Sequence, residues 1–446
     1  MLVCVIQGNF TAAKKEILLA NEQAECIEFR LDLMEACSLE EIATLKSLCT
    51  LPVIFTCREK SQLSFLSLKP DFVDVAWDAP YYETIPPEIK VIASHHDFEK
   101  TPEDLKGLLT QMRKKKAHFY KIATFARTSI DALRMLDLTQ KETDVAGMCM
   151  GELGAMTRIL GPIVNSPLTY TVLQNETAPG QLLIDDLIRI YHFKKLNPST
   201  KIYALIGDPI KHSIGYLFHN QMFQKKNVNA VYVNLLIRKE EVSSFFKWIK
   251  DLPFMGVSVT MPLKEIVAPY LTSIDKEAEK IGAINTLINK EGEWHGTNTD
   301  GKGALNALEK RGAVAGKVVL ILGAGGAAKA IAQEAFLRGG KVVIANRTLE
   351  KGKNLAALVS GEAISLDAIG HYSYSFLVNT TPLGRDASPV PNKDIQKGTI
   401  ALDALVSKEK TLLLEWVEEL GGEAIQGREM FTEQALLQQE AWAICP

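Results

Sequence analysis

Eight short apolar runs, rich in β-branched residues, recur through the first 196 residues. They are Leu2–Ile6, Glu25–Leu31, Pro52–Cys57, Phe72–Ala76, Lys90–Ser94, Ala117–Thr124, Val145–Met150 and Leu168–Val172. Helix-like stretches such as Thr101–Lys116 and Ser129–Gln140 lie between them. Thr101 followed by Pro102 reads as an N-cap with proline at the first helical position. Eight strands alternating with helices predict a (β/α)8 barrel. It is a compact one, since about 250 residues is typical. The pattern breaks at Asn197-Pro198-Ser199-Thr200, between a helix-like segment (Gln181–Lys195) and a new strand (Lys201–Gly207). Asn-Pro and Ser/Thr clusters are turn chemistry, so a domain boundary falls there. The rest of the chain again alternates strands and helices, giving an α/β protein throughout.

With 446 residues, two to four domains are expected. The net charge of −3 points to neither a nucleic acid nor an anionic membrane as partner. The basic run Arg113-Lys114-Lys115-Lys116 reads as a solvated helix face. The 7 cysteines are scattered and include no CxxC, which predicts reduced thiols, a cytoplasmic location and no metal site. The N-terminus reads as a first strand and not as a signal peptide.

Lys121 lies inside the sixth apolar run, where a charged lysine is costly unless paired. Desolvation that lowers its pKa would let its amine attack a ketone and form an imine. Other polar residues gather where the strands end: Glu28, Arg30 and Asp32 in the second, Arg58 after the third, His95 and His96 after the fifth. Arg158 follows the seventh and Gln181 the eighth. Barrel enzymes build their sites at this face. The arginines suit an anionic substrate, and a histidine beside the lysine supplies a general base.

Glu28-Phe29-Arg30-Leu31-Asp32, Ser94-His95-His96-Asp97-Phe98, Tyr120-Lys121-Ile122-Ala123 and Ala178-Pro179-Gly180-Gln181 resemble type I 3-dehydroquinate dehydratase. The resemblance spans residues 1–196. It implies an imine between Lys121 and the C3 ketone of 3-dehydroquinate, with His96 as the base that removes the C2 proton. It implies that Glu28, Arg30, Arg58, Arg158, Thr177 and Gln181 hold the substrate. The chain departs from the family at Gln62, where a glutamate is usual, and at Thr177, where serine is common. A local shift would instead bring Glu59 to the glutamate's place.

In the second half, strand Lys317–Leu322 runs into Gly323-Ala324-Gly325-Gly326-Ala327-Ala328 and then a helix-like run. This is the dinucleotide fingerprint in its strand–turn–helix frame. The next strand, Lys341–Ala345, ends in Asn346-Arg347-Thr348 and offers no acid for a ribose 2′-hydroxyl. An arginine there suits a 2′-phosphate, so the expected cofactor is NADP.

Three polar islands, Ser258–Lys264, Gly282–Thr286 and Gly296–Gly301, join Gly207–Ser213 in resembling shikimate dehydrogenase over residues 201–446. The resemblance implies Lys264 and Asp300 as the catalytic pair, acting on the C3 carbonyl of 3-dehydroshikimate. It implies Ser213, Thr260, Asn285 and Gln434 as substrate ligands, with Thr380 and Gly427 toward the nicotinamide. Here the departures remove contacts. Ser213-Ile214-Gly215-Tyr216 stands where the family has Ser-x-Ser-Pro, and Val406 replaces a tyrosine.

The expected organisation is a dehydratase barrel (1–196), a substrate lobe (201–310 with 425–446) and an NADP-binding Rossmann lobe (311–424). The two activities would be consecutive, since the first product is the second substrate. The partners are then small molecules, 3-dehydroquinate and 3-dehydroshikimate or shikimate. Dehydratases of this family are often dimeric, which leaves a homodimer as an open expectation. Two other readings keep the folds. One is an aldolase-type imine barrel fused to an NADP-dependent reductase of a related polyol acid. The other makes the second half a sensor that binds NADP without turnover.

Overall fold

The computed structural model describes residues 1–35, 37–174, 180–384 and 386–444. The chain divides into two compact units, Met1–Phe254 and Met255–Pro446.

The first unit opens with eight parallel strands: β1 (Leu2–Gly8), β2 (Cys26–Met34), β3 (Val53–Thr56), β4 (Phe72–Ala76), β5 (Lys90–Asp97), β6 (Phe119–Phe125), β7 (Val145–Met150) and β8 (Thr169–Thr171). They pair in the order β7-β6-β5-β4-β3-β2-β1-β8, a nearly closed barrel. Each expected strand is present, with ends shifted by at most three residues. The strands form because their side chains are buried on both faces. Val3, Val5, Cys26, Ile54, Ile92, Ala146, Met148 and Tyr170 fill the interior, and helices cover the outside.

Two local expectations need correction. The helix after β5 is Leu105–Met112, and Asp104, not Thr101, caps it by accepting from the Gly107 N–H at 2.7 Å. Thr101 is buried, and its hydroxyl instead donates to the Phe125 carbonyl at 3.0 Å. The basic run at 113–116 follows that helix and is not one of its faces. Arg113 pairs there with Glu142 and Asp144.

After the barrel, β9 (Lys201–Gly207) and β10 (Ala230–Leu236) pair in parallel around the helix Gly215–Lys225. Strand β11 (Phe254–Val259) starts at the last residue of the first unit, and β12 (Ser273–Ile274), β13 (Thr286–Lys290) and β14 (Glu293–Thr297) follow in the second. Strand β13 runs antiparallel to β11 and β14.

The last sheet comprises β15 (Val318–Leu322), β16 (Lys341–Ala345), β17 (Glu362–Ile364), β18 (Phe376–Asn379), β19 (Ile400–Asp403) and β20 (Glu423–Ile425). All are parallel, in the order β17-β16-β15-β18-β19-β20. This is the doubly wound order, with its switch point between β15 and β18, where such sheets bind dinucleotides. One apolar core lies on each face of the sheet.

The helices Asp300–Glu309 and Gly427–Ala441 pack too closely for any side chain at Gly303. A Cβ there would lie 2.6 Å from Gln434 Cβ and 2.7 Å from its backbone nitrogen. Gly303→Ala should therefore force the helices apart and cost about 1–3 kcal/mol. An unchanged urea midpoint for this variant would contradict the packing described.

Candidate active sites

A cavity of about 470 Å³ opens at the carboxyl ends of the barrel strands. Glu28, Arg30, Arg58, His96, Lys121, Arg158 and Gln181 all line it. Asp32 and His95, also singled out from the sequence, line it too, while Thr177 lies outside the described residues.

Lys121 projects from β6 and is 6% exposed. Its Nζ lies 2.8 Å from Asp74 Oδ2 and 3.7 Å from Glu28 Oε1. Asp74 also accepts from Ser94 Oγ at 2.6 Å and from Arg58 Nη1 at 2.8 Å. Burial pulls the Asp74 carboxyl up, but Arg58 and Lys121 outweigh it and hold the group far below the usual range. Glu28 accepts from the Thr56 hydroxyl at 2.5 Å. The buried lysine thus sits among carboxylates that are themselves hydrogen-bonded. Asp74 went unnoticed in the sequence, although an acid inside Phe72-Val73-Asp74-Val75-Ala76 carries the same signal as Lys121.

His96 lines the cavity, and its ring stacks on Phe98 with centroids 6.1 Å apart. Burial, reinforced by Lys121 and Arg58, depresses its pKa well below the ordinary value. The imidazole is therefore neutral at pH 7 and able to accept a proton. Arg158 is buried, and its Nη1 donates to the Cys149 carbonyl at 2.7 Å and the Gly180 carbonyl at 3.2 Å. Arg30 forks onto Asp32 with bonds of 2.8 and 2.6 Å. Gln62 Oε1 accepts from the Arg58 N–H at 2.6 Å and the Glu59 N–H at 3.1 Å. It braces the backbone that carries Arg58, and neither Gln62 nor Glu59 lines the cavity.

In the second unit Lys264 leaves a short turn, Leu263–Glu265, and hydrogen-bonds Asp300 Oδ2. Asn285 Nδ2 donates to the other Asp300 oxygen at 2.8 Å and to Thr299 Oγ1 at 3.0 Å. It also reaches Gln434 Oε1 at 3.4 Å. Asn298 Oδ1 accepts the Asp300 N–H at 2.9 Å. Lys264, Asp300, Asn285 and Gln434 thus form one polar network, and Thr260 begins the turn that leads to Lys264 by accepting the Leu263 N–H. Thr299 and Asn298 are additions, although both lie in the polar island flagged from the sequence.

Ser213 belongs to the first unit, in the loop after β9. Its Oγ accepts the Gly215 N–H at 3.2 Å. A Cβ at Gly215 would meet Ser213 Oγ at 3.3 Å and Tyr232 at 3.4 Å, so a serine would crowd this turn. Val406 lies half-buried in the loop after β19.

At the sheet's switch point Gly323 has φ +106°, a conformation that favours glycine. Thr380 Oγ1 donates to the Leu322 carbonyl at 2.6 Å, and a Cβ on Gly323 would sit 2.6 Å from that hydroxyl. Beyond it Ala324, Gly325, Gly326 and Ala327 turn into the helix Gly326–Leu337. Around Gly325 a Cβ would meet nothing within 4 Å. This open space at a helix N-terminus fits a pyrophosphate. Asn346 Nδ2 donates to the Thr348 carbonyl at 2.8 Å and shapes the loop after β16, where Arg347 is exposed. These residues fit a dinucleotide bearing a 2′-phosphate. Gly427 opens the final helix so close to Leu405 that a Cβ would lie 2.3 Å from its carbonyl oxygen.

An eight-stranded barrel with a buried lysine and a neutral histidine, followed by a lysine–aspartate pair and then a doubly wound sheet, fits a lyase joined to an oxidoreductase. Comparison with known proteins specifies both. Residues 1–198 match the family model for type I 3-dehydroquinase. Residues 205–287 match the shikimate dehydrogenase substrate-binding domain, and 306–376 match shikimate/quinate 5-dehydrogenase. The chain is 34% identical to the bifunctional 3-dehydroquinate dehydratase/shikimate dehydrogenase, chloroplastic, of Arabidopsis thaliana, over 95% of this chain and 78% of that protein. It is 33% identical to the shikimate biosynthesis protein AroDE of Chlamydia pneumoniae, over 99% of this chain and 95% of that one. A crystal structure of shikimate dehydrogenase in complex with NADP+ matches with TM-score 0.53 and 32% identity, covering 55% of this chain and 91% of that one. The chain belongs to the family of bifunctional 3-dehydroquinate dehydratase/shikimate dehydrogenases.

The depressed pKa of His96 has a direct readout. In histidine-labelled protein its ring should remain mostly neutral at pH 6.5 and titrate only below that pH, with His96→Asn assigning the signal. A ring half-protonated at or above pH 6.5 would contradict the burial described.

Proposed function

We propose that the two sites act in sequence, with the roles that follow. In the barrel, Lys121 attacks the C3 ketone of 3-dehydroquinate and forms the imine. Asp74 holds the Lys121 nitrogen in place, and the imine draws electrons from the adjacent carbon. Neutral His96 takes the C2 proton and returns a proton to the departing C1 hydroxyl. Arg158, fixed by two backbone carbonyls, presents its guanidinium to the substrate carboxylate. Glu28, Arg30, Arg58 and Gln181 contact the hydroxyls and the ring. The observation that carries this reading is the buried Lys121 within one cavity with His96 and Arg158.

In the dehydrogenase, Lys264 hydrogen-bonds the C3 oxygen of 3-dehydroshikimate and protonates it as negative charge develops. Asp300 orients Lys264, and Asn285 fixes Asp300. Ser213, Thr260, Asn285 and Gln434 bind the carboxylate and hydroxyls, with Gly215 supplying no hydroxyl of its own. NADPH, when bound, supplies the hydride. Gly323 to Ala327 receive its pyrophosphate, Asn346, Arg347 and Thr348 its 2′-phosphate, and Thr380 and Gly427 flank the nicotinamide. The functional division is 1–196, 201–310 with 425–446, and 311–424.

The six described cysteines are free, which supports a reducing, cytoplasmic location. No described helix is long and apolar enough to cross a membrane. A homodimer is part of the same proposal, and sedimentation velocity reports on it directly.

The deciding experiment supplies 3-dehydroquinate with and without NADPH and follows enone absorbance and NADPH consumption together. Enone formation, NADPH loss and a borohydride-trapped adduct on Lys121 are expected. Enone without NADPH loss would mean that Gly215 and Val406 have cost the second site its substrate. Lys264→Met should lower the dehydrogenase kcat by about 10²–10³ and leave enone formation intact. A dehydrogenase kcat within twofold of the parent would remove Lys264 from the chemistry.

A further inference from the structure

Asp74 is not the only group against the Lys121 nitrogen. Lys121 Nζ also lies 3.9 Å from the centroid of the Tyr170 ring. Tyr170 stands on β8, lines the cavity and is 3% exposed. It belongs to the apolar packing inside the barrel, and its buried hydroxyl finds no hydrogen-bond partner among the described residues. A buried hydroxyl left unpaired is costly. What Tyr170 offers Lys121 is the face of its ring. That face carries negative electrostatic potential, and it attracts a cation most strongly away from water.

The Lys121 nitrogen is cationic at two stages. As the ammonium it carries three hydrogens. On condensing with the ketone it forms a carbon–nitrogen double bond, the carbonyl oxygen leaves as water with two of those hydrogens, and the nitrogen keeps one hydrogen and the positive charge. Asp74 is poorly suited to guard that charge alone. Its charge is shared with Arg58 and Ser94. An aromatic face attracts the cation and cannot take its proton.

We propose that Tyr170 is a positioning residue for the dehydratase, its ring face stabilising the cationic Lys121 imine. This rests on the reading of Lys121 as the imine-forming lysine.

The test replaces residue 170 with phenylalanine, and then with phenylalanines carrying one, two and three fluorines, in the full-length protein. Fluorination drains the ring face while nearly preserving its shape. The readouts are dehydratase kcat and KM, the fraction of Lys121 trapped by borohydride at a fixed 3-dehydroshikimate concentration, and the melting temperature. Tyr170→Phe should keep kcat within about twofold and raise the melting temperature, since it removes an unpaired hydroxyl. Both kcat and the trapped fraction should then fall with each fluorine, reaching about tenfold with three, while KM moves less. A flat fluorine series in proteins that melt with the phenylalanine variant would overturn the proposal. So would a tenfold loss in Tyr170→Phe itself, which would assign the role to the hydroxyl. Absence of any Lys121 adduct in the parent protein would bring down the imine reading, and the proposal with it.

Discussion

The buried ion pair between Lys121 and Asp74 sets the terms for the barrel. Two charges withdrawn from water lose several kcal/mol of solvation each, and removing one partner of such a pair typically costs about 3–5 kcal/mol. The pair therefore needs a fixed frame. Register supplies it: Ser94 on β5 pairs directly with Lys121 on β6, and Ser94 Oγ donates to the Asp74 carboxylate from β4. Arg58, just after β3, closes the cluster from the other side of Asp74. Four successive positions around the barrel thus meet at one carboxylate. A slip of one residue in any of these strands would turn its polar side chain from the interior to the outer face. The fold and the chemistry are constrained by the same register.

Much of this was legible in the sequence, for a physical reason. Strands buried on both faces have to be apolar, so every polar exception stands out. Lys121 was found in that way. Asp74 is the same kind of exception, but a lone acid in a strand does not show what it pairs with. Its partners come from β3, β5 and β6, and such pairings cannot be read along the chain. Gln62 shows the opposite limit. The resemblance marks it only as a departure from a usual glutamate, and its amide oxygen accepts from the backbone N–H groups of Arg58 and Glu59. Thr101-Pro102 fails as a helix start for a related reason: the Thr101 hydroxyl is drawn into a buried contact with β6. Side-chain hydrogen bonds that compete with local signals are decided by tertiary packing. In the second half, motifs of contiguous residues carried further, because the Gly323 turn and the Asn298–Asp300 corner are each made within a few residues.

The two lysines proposed for catalysis are held in different ways, and the difference suits the chemistry proposed for each. Lys121 is 7% exposed at its side chain and is gripped by carboxylates and a ring, whereas Lys264 is 20% exposed and, among the described residues, ion-pairs with Asp300 alone. An imine has to be kept from water while a proton is removed from the neighbouring carbon, so a closed pocket with rigid walls serves it. Reduction of a ketone instead brings substrate and dinucleotide together at one point, which calls for an approachable lysine. Precision then has to come from behind it. Asn285 supplies that support by bonding the Asp300 oxygen that Lys264 leaves free, while Thr299 and Gln434 constrain Asn285 in turn. Packing does the rest: the helix that begins at Asp300 lies against the final helix with no room for a Cβ at Gly303, so the residues carrying Asp300 and Gln434 are locked to one another. Rigidity comes from burial in the barrel, and from a chain of amide and hydroxyl bonds behind an open lysine in the dehydrogenase.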